Sequence, residues 1–189
     1  MASDTQICNL ALLRLGAASI TSLTDNTPEA KLCNILFDDM VDEVIMEGSW
    51  SSTIKRVALV KTTNTPAYGF TDEFQLPTSP FCLKVLEINE ATTGTYDFRI
   101  EGDKLLANVS TVSIKYVARL TNTGEFDPML KRAIVSRLAA ELAYPITGSQ
   151  SVTKDMFALY KQHVQEGLAI DGTQGSGDQT ITPDLHEVR

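Results

Sequence analysis

The chain has 189 residues, 43% of them hydrophobic and 21% charged, with a formal net charge of -8 at pH 7. That length suffices for one good core, or for a helical and a small β module sharing one. No apolar stretch approaches the ~20 residues of a membrane-spanning helix, so membrane insertion is not expected, and the acidic balance without a concentrated basic stretch argues against generic attraction to nucleic acid.

The opening, Met1 to Asp4, lacks the basic flank and apolar block of a secretory signal, so the protein is expected to stay where it is made. Cys8, Cys33 and Cys82 agree: odd in number, widely spaced and set among apolar neighbours, they read as small buried hydrophobes of a reducing compartment.

Ser3 followed by Gln6 is a capping pattern, and Ile7, Leu10, Ala11, Leu12 and Leu15 continue a short helix until Gly16 stops it. Thr27-Pro28-Glu29 opens a second helix, with Thr27 accepting from free amides and Pro28 at the first helical position. Leu32, Cys33, Leu36, Phe37, Met40, Val41, Val44 and Ile45 then recur at helical spacing to Glu47, a span of ~30 Å. Gly48 ends it.

The period then changes. Residues 56–61, 73–76, 83–88, 96–100 and 112–118 read as strands of one small antiparallel sheet. Tyr96, Phe98 and Ile100 alternate with Asp97, Arg99 and Glu101, which predicts one buried and one wet face. Gly102-Asp103 turns residues 95–107 into a hairpin, with Val112, Ile114 and Tyr116 returning beside it. Helix resumes at Asp127-Pro128 and runs through Leu130, Ala133, Ile134, Leu138 and Leu142 to an expected break at Pro145. Ser149 or Ser151 opens the last helix, whose apolar face carries Met156, Tyr160, His163, Val164 and Leu168. The fold class expected is α+β: a helical bundle from residues 1–54 and 119–171, an inserted antiparallel β lobe at 55–118 and an extended C-terminal tail at 172–189. Gly172 to Thr182 is built of Gly, Thr, Gln, Ser, Asp and a single Ile. Such a segment has no core of its own and is expected to be held by a neighbouring chain.

Catalytic patterns are sparse. His163 falls on an apolar helix face, where a hydrogen-bonded packing role is expected, and His186 sits in the tail; neither has a partner at metal-ligand spacing. There is no nucleophile elbow, phosphate-cradling glycine loop or dinucleotide fingerprint. Neither catalytic residue, metal nor cofactor is expected. The one dense acidic cluster, Asp38, Asp39, Asp42 and Glu43, falls opposite the apolar stripe of its helix, facing water or a partner. Asp38 with Asp42 and Asp39 with Glu43 set like charges four residues apart, each costing ~0.2 to 0.5 kcal/mol in an isolated helix. An offset is expected from outside: Lys131, Arg132 or Arg137 of an adjacent subunit, or a role as an acidic channel lining that repels DNA.

Several segments, in order, resemble the tail tubular protein A family, the head–tail adaptors of short-tailed phages. They are Ile7-Cys8-Asn9-Leu10-Ala11-Leu12-Leu13-Arg14-Leu15-Gly16, the long helix ending in Gly48-Ser49-Trp50, Phe74-Gln75-Leu76-Pro77 and Ile100-Glu101-Gly102-Asp103. Lys115 to Arg119, Phe126-Asp127-Pro128, Arg137 to Ala143 and Pro145 to Ser149 continue the series. The chain departs from the pattern at Ser51-Ser52-Thr53 and in lacking a second tryptophan before Arg189. The resemblance implies a structural, non-enzymatic virion protein assembled in the host cytoplasm. Its copies would form a ring, usually of twelve, beneath the portal protein, with the other face toward the tail nozzle or tail tube and DNA passing through at ejection without sequence-specific binding. The tail, including Gly172, Asp178, Ile181, Leu185 and Arg189, would reach the portal. A connector of a long-tailed phage, a tail-associated hydrolase using Asp38 with Asp42 or Glu43, and a DNA-binding terminator are the alternatives.

Overall fold

The structure, a computed structural model, describes residues 3–89 and 97–174. Its four helices are α1 (Asp4–Arg14), α2 (Pro28–Glu47), α3 (Pro128–Thr147) and α4 (Gln150–Asp171). Each begins where a short polar side chain takes up amides that a first turn leaves free. Ser3 Oγ accepts from the Gln6 N–H at 3.2 Å, Thr27 Oγ1 from Ala30 at 3.2 Å, and Ser149 Oγ from Val152 at 3.4 Å. Asp127 Oδ1 accepts two, from Met129 at 2.8 Å and Leu130 at 2.9 Å.

Pro145 does not end α3, contrary to the sequence expectation. The ring removes one N–H from the last turn only, so a single bond is forfeited. The turn is closed instead by Gly148, left-handed at φ 67°, whose N–H donates to Tyr144 O at 2.9 Å, and by Thr147 Oγ1, which donates to Ala143 O at 2.6 Å.

α3 is the central helix. It packs most extensively on α4 and also meets α1 and α2, and its Leu130, Ala133, Ile134, Leu138, Ala139 and Leu142 are buried against Ile7, Leu12, Val44 and Ile45 of the first two helices. Cys8 and Cys33 lie in this core; Cys82 is only half-buried. The indole of Trp50 is fully buried, and its Nε1 donates to Val44 O at 2.9 Å, capping a carbonyl in the last turn of α2. Glycines flank the ring. A Cβ on Gly48 would lie 2.6 Å from Trp50 Nε1, and one on Gly167 would lie 2.8 Å from Trp50 Cη2. Gly48 has an ordinary extended backbone, φ -110°, so close approach rather than conformational freedom accounts for glycine there.

The strands are β1 (Ile54–Ala58), β2 (Val60–Lys61), β3 (Asp72–Gln75), β4 (Cys82–Ile88), β5 (Phe98–Glu101), β6 (Lys104–Ala107) and β7 (Ser113–Ala118). They form two antiparallel sheets, ordered β1-β7-β4 and β2-β3-β6-β5, rather than the single sheet expected. The stretch read as one strand at 56–61 divides at Leu59, whose N–H donates to Val112 O at 2.7 Å, so its halves serve different sheets. The hairpin forms as expected, with Gly102 at φ 61° joining β5 to β6, but β7 does not return beside it; β7 lies between β1 and β4. Local alternation marks strands without naming their neighbours, so one sheet could not be told from two.

The first sheet links two cores. Val117, Leu83 and Leu86 pack with the helices, while Ile88, Ile114 and Tyr116 join Phe74, Leu76 and Leu105 in a second cluster. Ile100 was expected on the buried face, yet it is 43% exposed and Phe98 is half-buried. Both pair with buried residues of β6, but β5 is an edge strand, and no described strand pairs with its outer side. Tyr96, also assigned to this strand from sequence, lies outside the described residues.

Candidate subunit interface

Two helical faces of opposite charge carry five of the residues singled out from sequence, Asp38, Asp39 and Asp42 on one and Lys131 and Arg132 on the other. The first is the outer face of α2. Ile35, Asp38, Asp39, Asp42 and Met46 fall on one side of the helix, away from buried Cys33, Phe37, Met40, Val41 and Val44. Ile35 is 69% and Met46 44% exposed. Asp38, Asp39 and Asp42 also border a cleft of about 440 Å³ with Asp4 and Phe37, closed on its far side by Arg119, Leu120 and Phe126.

The structure supplies two partners from within the chain where an adjacent subunit had been considered. Arg119 Nε donates to Asp42 Oδ1 at 2.9 Å, and its Nη2 bonds Oδ2, making a bidentate pair. Arg119 is aimed by its position just after β7: its N–H donates to Phe81 O at 2.8 Å, and its guanidinium lies 5.0 Å over the Phe81 ring. The hydrogen bond to Asp42 raises the guanidinium's pKa, with Asp38 and Asp39 adding to the pull. Arg137 Nη2 donates to Glu43 Oε2 at 2.7 Å, while its Nη1 lies 2.6 Å from Glu141 Oε1 and the guanidinium lies 5.1 Å from the Phe157 ring centre and 5.6 Å from that of Tyr160. Arg137 is therefore an internal clamp joining α2, α3 and α4. Asp38 and Asp39 remain exposed.

The second face lies along the seam of α1 and α3. Leu13 projects from α1 with 73% of its surface exposed, and Leu10 beside it with 40%. The two form a ridge between shallow grooves. One, of about 240 Å³, is bordered by Asn9, Ala17 and Ser19; the other, of about 320 Å³, by Arg14, Pro128, Lys131, Arg132 and Val135. Arg132 Nη1 meets Glu166 Oε2 at 3.1 Å, again within the chain. Arg14 Nη1 donates to Ser136 Oγ at 2.5 Å; burial first, and then neighbouring Arg132, lower its pKa. Among the described residues, three cations thus share this groove with the adjacent Glu166.

Beneath the groove His163 is buried and hydrogen-bonded, the packing role expected from sequence. Its Nδ1 lies 2.5 Å from Ser136 Oγ. The serine has one proton, and Arg132 O at 2.8 Å can only accept it. With the serine proton directed at Arg132 O, Nδ1 is the donor to Oγ. Burial, then the charges of Arg132 and Arg14, lower the pKa of His163 against an opposing pull from Glu166.

Sequence reasoning missed the junction between helices and strands. Ser51 donates to Asp171 Oδ2 from both its N–H and its Oγ, each at 2.8 Å, and Ser52 Oγ donates to Asp127 Oδ2 at 2.9 Å. Only the presence of short hydroxyl side chains after a buried tryptophan hinted at it. Of the tail residues singled out, Gly172 follows α4 in a short turn, Gly172–Gln174; Asp178, Ile181, Leu185, Arg189 and His186 lie outside the described residues. Among the described residues no group of three His, Cys, Asp or Glu side chains is placed to hold a metal ion, and no helix is long and apolar enough to cross a membrane. No protein-family model matches the chain, and no curated protein is significantly similar to it in sequence.

Proposed function

We propose that this protein is a structural subunit of a phage head–tail adaptor of the short-tailed type. Copies pack side by side into a ring, twelve in number as the resemblance implies, between portal protein and tail nozzle or tube, and DNA passes through the channel. The observation that carries this reading is the pair of outward helical faces, each presenting a large, mostly exposed apolar side chain, Leu13 on one and Ile35 on the other, among charges in which one sign predominates. Scattered apolar residues are ordinary on a protein surface, but apolar ridges bordered by unbalanced charge suit contact with another macromolecule.

The hydrolase alternative receives less support. Asp42 is held bidentately by Arg119 and Glu43 by Arg137, so two of the carboxylates it would use already serve as ion-pair partners. The tail, residues 172–189, serves in this reading as a tether to the portal, where a segment without its own core can wrap a large surface at a cost in ordering entropy.

Electron microscopy of the purified protein, alone and mixed with the portal protein of the same phage, tests the proposal. Rings seated on the portal are expected, with attachment weakened but the subunit still folded after deletion of residues 172–189. A subunit that neither forms rings nor binds portal refutes it, and retention of full portal binding by the truncated chain removes the tether role.

A further inference from the structure

We infer that the two charged helical faces are mates of one another: the acidic outer face of α2 on one copy docks onto the basic α1–α3 groove of the next. This assignment rests on the ring reading and adds which surfaces close it.

Three features carry it. The faces are complementary in charge, Asp38 and Asp39 exposed on one, Lys131 and Arg132 flanking the other. Both keep an excess of one sign among the described residues: Arg119 stands among Asp4, Asp38, Asp39 and Asp42, and Glu166 pairs with Arg132 beside Arg14 and Lys131. Lys31, at the N-terminal end of α2, is the one cation on the acidic helix. Both faces also display exposed apolar side chains, Ile35 and Met46 on one and Leu10 and Leu13 on the other, so that a helix laid along the groove can bury apolar surface of both. On a chain of net charge -8, like faces would repel, and a basic groove is a surface to which an acidic helix of an identical copy is drawn.

The two faces share no residue, which lets one copy engage a neighbour on each side at once. Such a head-to-tail contact is heterologous. Repeated with a constant rotation, it closes a ring or extends as a helix, whereas a self-complementary contact stops at a dimer.

Two variants distinguish these arrangements. Leu13→Cys and Ile35→Cys each place a thiol at the centre of one face, while native Cys8 and Cys33 are fully buried. With a short bis-maleimide, the mixture of the two is expected to give a cross-linked heterodimer at least tenfold above the level either gives alone or the wild type gives through half-buried Cys82. In sedimentation, Lys131→Glu is expected to weaken self-association more than tenfold, Asp39→Lys likewise, and the two together in one chain to recover most of it. Efficient cross-linking of Leu13→Cys to itself, absence of a mixture-specific product, or a wild type that stays monomeric at every concentration overturns the inference. So does a groove that binds a DNA oligonucleotide or heparin, lost in Lys131→Glu, without self-association. Closed rings that survive Lys131→Glu and Asp39→Lys leave the adaptor reading standing and remove only this face assignment; a specific cross-link without portal binding does the reverse.

Discussion

Replacing Gly167 with alanine sets two effects of opposite sign against each other. In a solvent-exposed helix the change gains about 1 kcal/mol, because alanine loses less backbone entropy than glycine. Here the new methyl would lie 2.8 Å and 2.9 Å from Trp50 Cη2 and Cζ3, well inside the ~3.5–4.0 Å at which carbon atoms rest. The indole cannot retreat easily: it is fully buried, its Nε1 is tied to Val44 O, and Gly48 lies against it. Overpacking of this kind costs about 1–3 kcal/mol, so Gly167→Ala is expected to destabilise by about 0–2 kcal/mol net, some 2–4 °C in Tm per kcal/mol for a chain of this size. The decisive measurement is a double-mutant cycle in urea followed by far-ultraviolet circular dichroism. Trp50→Ala alone costs about 3–5 kcal/mol, but it vacates the space the methyl needs, so in that background Gly167→Ala should stabilise by up to about 1 kcal/mol. Trp50 is the only tryptophan, and its emission reports independently whether the ring has shifted in the Gly167→Ala chain. An equal cost of Gly167→Ala with and without the indole would refute the account.

Asp127→Ala removes the acceptor for two helix-opening amides and for Ser52; a loss of about 1–2 kcal/mol is expected by thermal denaturation, more than for Ser52→Ala. Asp171→Ala leaves the Ser51 N–H and hydroxyl without their carboxylate, at about 1.5–3 kcal/mol, and hydrogen exchange at Ser51 should speed up more than the global loss accounts for. His163 is held neutral by burial, so its folded-state pKa lies below the ordinary 6.5. The unfolded chain then takes up the proton first as pH falls: the ring has no effect on stability above about pH 6.5 and lowers it progressively below, until the folded-state value is passed. Urea titrations across that range should show a shallower loss for His163→Gln than for the wild type; parallel curves would contradict the assignment.

The helix starts were legible because each cap is a local event. Ser3, Thr27-Pro28 and Asp127-Pro128 bond amides two or three residues away, and their sequence pattern is the interaction itself. Pro145 was misread because a proline's cost depends on its distance from the helix end, which Gly148 fixes three residues later. The two sheets, the split at Leu59 and the exposure of Ile100 depend on which strands neighbour which, and alternation within a strand carries no such information. At the candidate interface the acidic stripe on α2 was legible from helical spacing. Its partner Arg119 was not: 77 residues separate Arg119 from Asp42, and nothing in the run of β7 distinguishes that arginine from a solvated one. Arg137 was noticed for its charge, but its true neighbours, Glu43, Glu141, Phe157 and Tyr160, come from three helices.

The chain leaves the helices at Ile54 and comes back at Val117, and those residues are directly paired across β1 and β7. Everything between them is consequently a cassette with coincident ends, anchored to the bundle mainly through Val117, Leu83 and Leu86. Evolution can lengthen, trim or exchange the outer part of such an insert without re-threading the helices, provided that the stem and those three side chains are kept. A subunit built this way can change what it presents at the far tip while the geometry of its helical neighbours stays fixed.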